Sequence, residues 1–115
     1  MPDSAAILAI GGLHFDTVAQ GQAPVQMKAS NPVRCHRFVG GVAHNIACDM
    51  AALGTRSCLM SLVGQDADGD GVIAETTKRG VDLALVARSP TVKTASYTAV
   101  LEPDGELAIG LSDSQ

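Results

Sequence analysis

Apolar residues follow three different rhythms along this chain. Ala5 to Ile10 is a short continuous apolar run ending at Gly11 and Gly12. Such a run reads as a strand buried on both faces, at the centre of a parallel sheet. After Gly40 and Gly41 the rhythm changes to helical spacing, with Val42, Ile46, Met50 and Leu53 as the expected buried stripe and Asn45 and Asp49 on another face. Gly54 stands where a helix C-terminus favours a left-handed residue, and Ser57 to Val63 reads as a second buried strand. From Thr94 the rhythm is two: Ala95, Tyr97, Ala99 and Leu101 on one face, Thr94, Ser96 and Thr98 on the other. Glu102-Pro103-Asp104-Gly105-Glu106 is strong turn chemistry, so Thr94 to Leu101 and Leu107 to Leu111 form a hairpin with one face covered.

The intervening stretches are polar. Thr17 to Pro32 is rich in Gln, Gly, Pro, Ser and Asn and reads as an extended excursion with a loop; Val33 to Val39 returns as a strand carrying Arg34, His36 and Arg37. Those arginines are candidates for phosphate or substrate contact, but solvated charges that protect a sheet edge are the favoured reading. Asp66-Ala67-Asp68-Gly69-Asp70-Gly71 matches the first six positions of a calcium-binding loop. The bidentate Glu that such a loop needs at its last position is absent: Thr77 stands there, and Glu75 falls two residues early. The better reading is a helix capped by Asp66 or Asp68, running to about Arg79 and stopping at Gly80, with acidic residues at its positive end. Val81 to Ala87 gives a turn and a short strand, and Arg88 to Val92, with Pro90, a connection.

Composition narrows the picture. With 115 residues, 46% hydrophobic and 17% charged, the chain fits one globular domain. Aromatics make only 3% and there is no Trp, so burial relies on Ala, Val, Leu and Ile. A net charge of −4 and a pI near 5.1 argue against a nucleic-acid-binding surface. No stretch approaches the ~20 apolar residues of a membrane span, and the N-terminus lacks the basic region of a secretory signal; a cytoplasmic protein is expected. Cys35, Cys48 and Cys58 are odd in number and irregularly spaced, which disfavours a disulfide framework. Cys48 and Cys58 read as small core residues, and Cys35 with His36 lacks the partners of a zinc site.

Two places carry candidate ligand chemistry. Gly40 and Gly41 lack Cβ atoms, admit a ligand close to the backbone, and present free N–H groups at a helix start. Asn45, in the first turn, adds an amide that donates and accepts. The set suits a neutral, hydroxyl-rich ligand such as a sugar; a plain turn before a helix is the alternative. Asp16 follows the first strand at its C-terminal edge, where open α/β sheets bind ligands. It is either a grip on paired hydroxyls or a solvated turn carboxylate.

The residues Gly40-Gly41-x-Ala43-x-Asn45-x-Ala47, then Gly54, then Gly64, resemble the first signature of the PfkB (ribokinase-like) family of carbohydrate and nucleoside kinases. The following VGQDADGDGVIAETTKRGVD is similar to the family as well, and the resemblance covers nearly the whole chain. TASYTAVLEPDGELAIGLSDSQ resembles most the pseudouridine kinases among its members. The resemblance implies an α/β, ribokinase-like fold: a partial parallel-sheet αβα core (about 5–16 and 40–92) with a small β-sheet lid (about 17–39 and 93–115) that closes over the sugar. It implies substrate contacts from Gly12, Asp16, Gly40, Gly41 and Asn45. Gly11, Gly12 and Asp16 match a G-x-x-N-x-D-like segment whose Asp contacts the sugar; His14 stands where Asn is common.

ATP and Mg2+ are implied as co-substrates, yet the GAGD segment that supplies the family's anion hole and catalytic Asp does not occur here, nor does a Walker-type loop. No catalytic residue is therefore assigned, and the chain is expected to stop before the nucleotide-binding half. The expected activity is ATP-dependent phosphorylation of a ribosyl hydroxyl, with these residues as a substrate-binding portion inactive alone. Two alternatives are a non-catalytic sugar-binding or interaction fragment and a functionless product. The expected partner is a small sugar or nucleoside, without nucleic acid or membrane. A sheet cut mid-way exposes an edge and an apolar face, so the chain is expected to self-associate through its lid or its sheet edge, or to be marginally stable.

Overall fold

A computed structural model describes residues 6–114; Ala5, expected to open the first strand, lies outside them. The elements in order are β1 (Ala6–Ile10), β2 (His14–Gly21), β3 (Val33–Gly40), α1 (Val42–Ala52), β4 (Arg56–Gly64), α2 (Ala67–Lys78), β5 (Val86–Ser89), β6 (Ser96–Leu101) and β7 (Leu107–Asp113). They form two sheets. The first is parallel, in the order β1-β4-β5, with Ala6 opposite Arg56 and Ser61 opposite Val86. The second runs β3-β2-β6-β7; β2 and β6 are parallel at its centre, and the outer strands pair antiparallel.

β1 stands at the edge of its sheet and not at the centre. Among the described residues β4 is its one strand partner, and β4 takes the central place. Side chains alternate across the pleat, and the two faces fare differently. Ala9, Leu59 and Val63 join Leu13, Ala47, Val72 and Val81 in one buried cluster to which both helices contribute. On β1 and β4 the alternate positions are open: Leu8 is 46% exposed, Ile10 68% and Leu62 53%. One helical layer is thus in place, and the uncovered apolar face expected of a sheet cut mid-way is present.

The stripe on α1 is the main departure from the hydrophobic pattern. Val42 is 75% exposed, Leu53 78%, and Ile46 also lies open, whereas Ala43, His44, Ala47 and Cys48 are buried. Small side chains decide this. Ala43 and Ala47 let the helix axis lie close to β1 and β4, close enough for Ser57 Oγ to donate to the Ala47 carbonyl at 2.7 Å. A Val or Ile at the contact would hold the helix away from the sheet. The larger residues sit on the neighbouring stripe, where Val42, Ile46 and Met50 wall an apolar trough beside β1. Gly54 does close the helix, with φ 86°.

α2 begins as expected at Asp66, whose Oδ1 accepts from the Gly69 N–H at 2.6 Å. The same carboxylate reaches across the fold. Thr94 Oγ1 donates to Oδ1 at 2.7 Å, the Thr94 N–H donates to Oδ2 at 2.9 Å, and the Gly64 N–H donates to Thr94 Oγ1 at 2.9 Å. Asp66 therefore spends both oxygens on N–H and O–H donors, as a helix cap and not as a cation ligand. The Thr94 hydroxyl, then the Thr94 and Gly69 N–H groups, hold its carboxyl below the usual carboxylate range. This knot ties the end of β4, the start of α2 and the approach to β6 together. Arg88 braces it by donating to the Gly64 carbonyl at 2.9 Å and to Asp70 at 2.7 Å.

The second sheet departs from expectation in one respect. β6 shows no buried-exposed alternation; every residue in it is half-buried. It lies between β2 and β7, so its edges are paired while neither face is sealed. β3 is an open edge carrying Arg34 and Arg37. The Arg37 guanidinium lies 4.3 Å from the Phe15 ring centroid and 3.3 Å from Asp68, which links the sheet to α2.

Candidate functional site

β2 begins at His14, so His14 and Asp16 belong to a strand and not to a turn after β1. Two residues apart on a strand, they point to the same face. His14 Nδ1 lies 2.9 Å from Asp16 Oδ1. Both atoms are buried, yet neither makes a well-directed hydrogen bond to the other or to any described residue. Buried polar atoms are nearly always partnered, and one left without a partner costs about 1–3 kcal/mol. The two side chains are 24% and 21% exposed, so the pair stands at the floor of an accessible cleft.

The glycines shape that floor. Gly40 is paired with His14 across the β2–β3 ladder. A methyl added at Gly40 would collide with the Asp16 carboxylate, Oδ2 first; the bare Cα is what lets the carboxylate lie there. Gly41 has φ 111°, which L-residues rarely adopt, and a methyl there would run into the Gly12 carbonyl. Gly12 in turn lies under the His14 ring. Gly41 is also the N-cap of α1, with no side chain capping the helix and no acidic residue in its first turn. The open N–H groups and the positive end of the helix dipole thus face the same side as Asp16.

A cleft of about 370 Å³ gathers these parts: His14, Asp16, Gly41 and Asn45 line it together with Ser96 and Tyr97 of β6, the strand that pairs with β2 beside Asp16. A trough of about 480 Å³ lies between β1 and α1, but its lining, Ile7 to Gly12 with Val42, Ala43, Ile46 and Met50, carries no polar side chain. It offers apolar contact only, and recognition chemistry sits in the smaller cleft. Of the five residues expected from sequence, Asp16, Gly41 and Asn45 line that cleft, Gly40 packs against the Asp16 carboxylate, and Gly12 lines the trough next to the His14 ring. Sequence reasoning missed the part of His14, whose i, i+2 spacing to Asp16 was the available signal; β6 was expected in the lid over the sugar, but its Ser96 and Tyr97 were not singled out as lining residues. Among the described residues no three His, Cys, Asp or Glu side chains cluster to hold a metal, and no helix is long and apolar enough to cross a membrane.

Residues 6–115 match the pfkB family of carbohydrate kinases. The chain belongs to that family. It is 30% identical over 107 residues to the pseudouridine kinase of Escherichia coli, covering 93% of this chain and 34% of that protein. Among solved structures, a carbohydrate kinase from Agrobacterium tumefaciens superposes with a TM-score of 0.84 at 32% identity, over 96% of this chain and 36% of that one. The fructokinase of Xylella fastidiosa with bound ATP superposes with a TM-score of 0.76 at 27% identity, over 93% of this chain and 32% of that one. This PfkB chain therefore spans about a third of the length of the relatives it matches. Its α/β core with an attached four-stranded sheet is a ribokinase-like fold in part. The arrangement presents a carboxylate acceptor, amide donors and hydroxyls around a polar cleft.

Proposed function

We propose that this chain is the substrate-binding portion of an ATP-dependent kinase acting on a ribosyl hydroxyl, with a pseudouridine-like nucleoside as the favoured substrate. The observation that carries the proposal is the part-exposed Asp16 carboxylate, held 2.9 Å from His14 Nδ1, lining one cleft with the uncapped start of α1. Each sugar hydroxyl donates one hydrogen bond and accepts up to two. Asp16 accepts from adjacent hydroxyls, Asn45 and the first N–H groups of α1 donate to them, and Gly12, Gly40 and Gly41 keep the approach free of Cβ atoms. The β6–β7 hairpin borders the cleft through Ser96, Tyr97 and Ser112, and in this reading closure there excludes water from the reacting hydroxyl. The likeness to the pseudouridine kinase supports the substrate class.

ATP and Mg2+ supply the phosphoryl group and neutralise its charge. In this reading they engage residues outside these 115, and the chain alone binds substrate without transferring phosphate. We further propose a cytoplasmic setting and self-association through the open sheet edge or the lid. A non-catalytic sugar-binding fragment is the second reading, favoured by the lack of a GAGD segment in the sequence.

The test is calorimetric titration of the chain with pseudouridine beside ribose, with an Asp16→Ala control. Saturable binding to pseudouridine, lost in the variant, is expected. A folded chain that gives no heat with either ligand, or an Asp16→Ala variant that binds as well as wild type, would overturn the proposed site. With binding established, phosphoryl transfer from ATP by the chain itself would refute its inactivity.

A further inference from the structure

α1 carries a second polar feature, on its buried side. His44 is 3% exposed and Cys48 7%. Cys48 Sγ lies 3.4 Å from His44 Nε2, and His44 Nδ1 lies 2.9 Å from Asn45 Oδ1. The i, i+4 spacing brings His44 and Cys48 together along one face. Asn45 is different, because consecutive residues diverge by about 100° around a helix. Its side chain must bend back toward His44 to make that contact.

We propose that Cys48 and His44 are positioning residues that set the tautomer of the imidazole and thereby turn the Asn45 amide so that it presents its NH2 group, and not its carbonyl, to the substrate cleft. Cys48 lies in apolar surroundings, and burial raises its pKa, so it remains a thiol with a proton to donate. Its partner Nε2 then holds a lone pair, and a neutral imidazole must carry its proton on Nδ1. That proton needs an acceptor, which Asn45 Oδ1 provides. The Nδ2 group is left free on the cleft side, where Asp16 supplies the complementary acceptor. A ligand hydroxyl can then accept from Asn45 while donating to Asp16. This pairing selects a ligand hydroxyl over a group bearing only acceptors at that place. The substrate part of the inference rests on the function proposed above; the tautomer does not.

The decisive measurement is a long-range 1H–15N correlation spectrum of the unliganded full chain, labelled at histidine, at neutral pH. The signals of His44 are assigned by their loss in His44→Gln. A neutral imidazole with the proton on Nδ1 is expected, the less common form in free histidine. The Nε2–H form, or an imidazolium, would overturn the proposal whatever the chain binds. Cys48→Ser retains a donor and should keep the tautomer; Cys48→Val removes it and should release the bias. Where pseudouridine binds, Cys48→Val should weaken it about tenfold and Cys48→Ser by far less. A Cys48→Val chain with an unchanged His44 spectrum would remove Cys48 from the relay. An Nδ1–H signal in a chain that binds no sugar would leave the positioning intact and refute only the substrate reading.

Discussion

Replacing Gly40 by Ala tests whether the Asp16 carboxylate lies where the cleft requires it. The three heavy atoms nearest an added methyl at residue 40 all belong to that carboxylate: Oδ2, then Cγ at 2.8 Å and Oδ1 at 3.3 Å. The far end of an exposed lysine would swing aside at little cost. Asp16 sits on β2, locked in register opposite Phe38 and Tyr97, so its carboxylate can leave only by rotating out of the cleft or by parting the ladder at Gly40. Overpacking of this kind costs about 1–3 kcal/mol, or roughly 4 °C of melting temperature per kcal/mol at this chain length. The collision needs both partners. In an Asp16→Ala background the three nearest atoms are gone, and Gly40→Ala should become nearly neutral. A double-mutant cycle read by thermal or denaturant unfolding should thus give a coupling of about 1–3 kcal/mol. Sugar binding, where calorimetry detects it, should fall at least tenfold in Gly40→Ala, since one displaced hydrogen-bonding carboxylate corresponds to ~1.4 kcal/mol or more. Additive effects of the two substitutions, or a Gly40→Ala chain as stable as wild type, would refute the placement of Asp16.

Two other predictions address the fold. On the hydrophobic pattern Ile46 belongs to the core, but in the structure Ala47 does: Ile46→Gln should shift stability by less than ~0.5 kcal/mol, whereas Ala47→Leu should cost about 1–3 kcal/mol. Urea unfolding ranks them, and a more harmful Ile46→Gln would restore the Val42–Leu53 stripe as the buried one. For the knot at Asp66, the folded carboxyl titrates below its unfolded counterpart. Its contribution to stability is therefore full above the unfolded value of ~3.9 and is lost as pH falls from there through the folded value. The gap in melting temperature between wild type and Asp66→Asn should narrow as the pH is lowered below about 4; a gap that persists unchanged to about pH 3 would show that the charge of Asp66 is not what holds Thr94.

Much of this protein was determined by the sequence alone, and the legible parts share a physical basis: they are local. The cap at Asp66, the left-handed Gly54, the Pro103-Asp104-Gly105 turn and the helix–strand order each depend on a few neighbouring residues whose backbone preferences do not wait for the rest of the chain. The five glycine, aspartate and asparagine positions expected at the site came from a different source, the resemblance of their spacing to the PfkB pattern. Tertiary structure decided what depends on distant partners. Which stripe of α1 is buried turns on how closely a helix can approach β1 and β4, and size outweighs hydrophobicity there: Ala43 and Ala47 fit against the sheet, and Ile46 does not. β1 is an edge strand because of how many strands are available to pair with it, which no property of Ala6 to Ile10 encodes. The knot joins Asp66 to Thr94, and the β2–β6 ladder sets Tyr97 beside Asp16, pairs far apart in sequence that only the tertiary fold brings within reach. The contact of Asn45 with His44 depends on a side chain bending back along its own helix, which spacing argues against and packing around His44 and Cys48 permits.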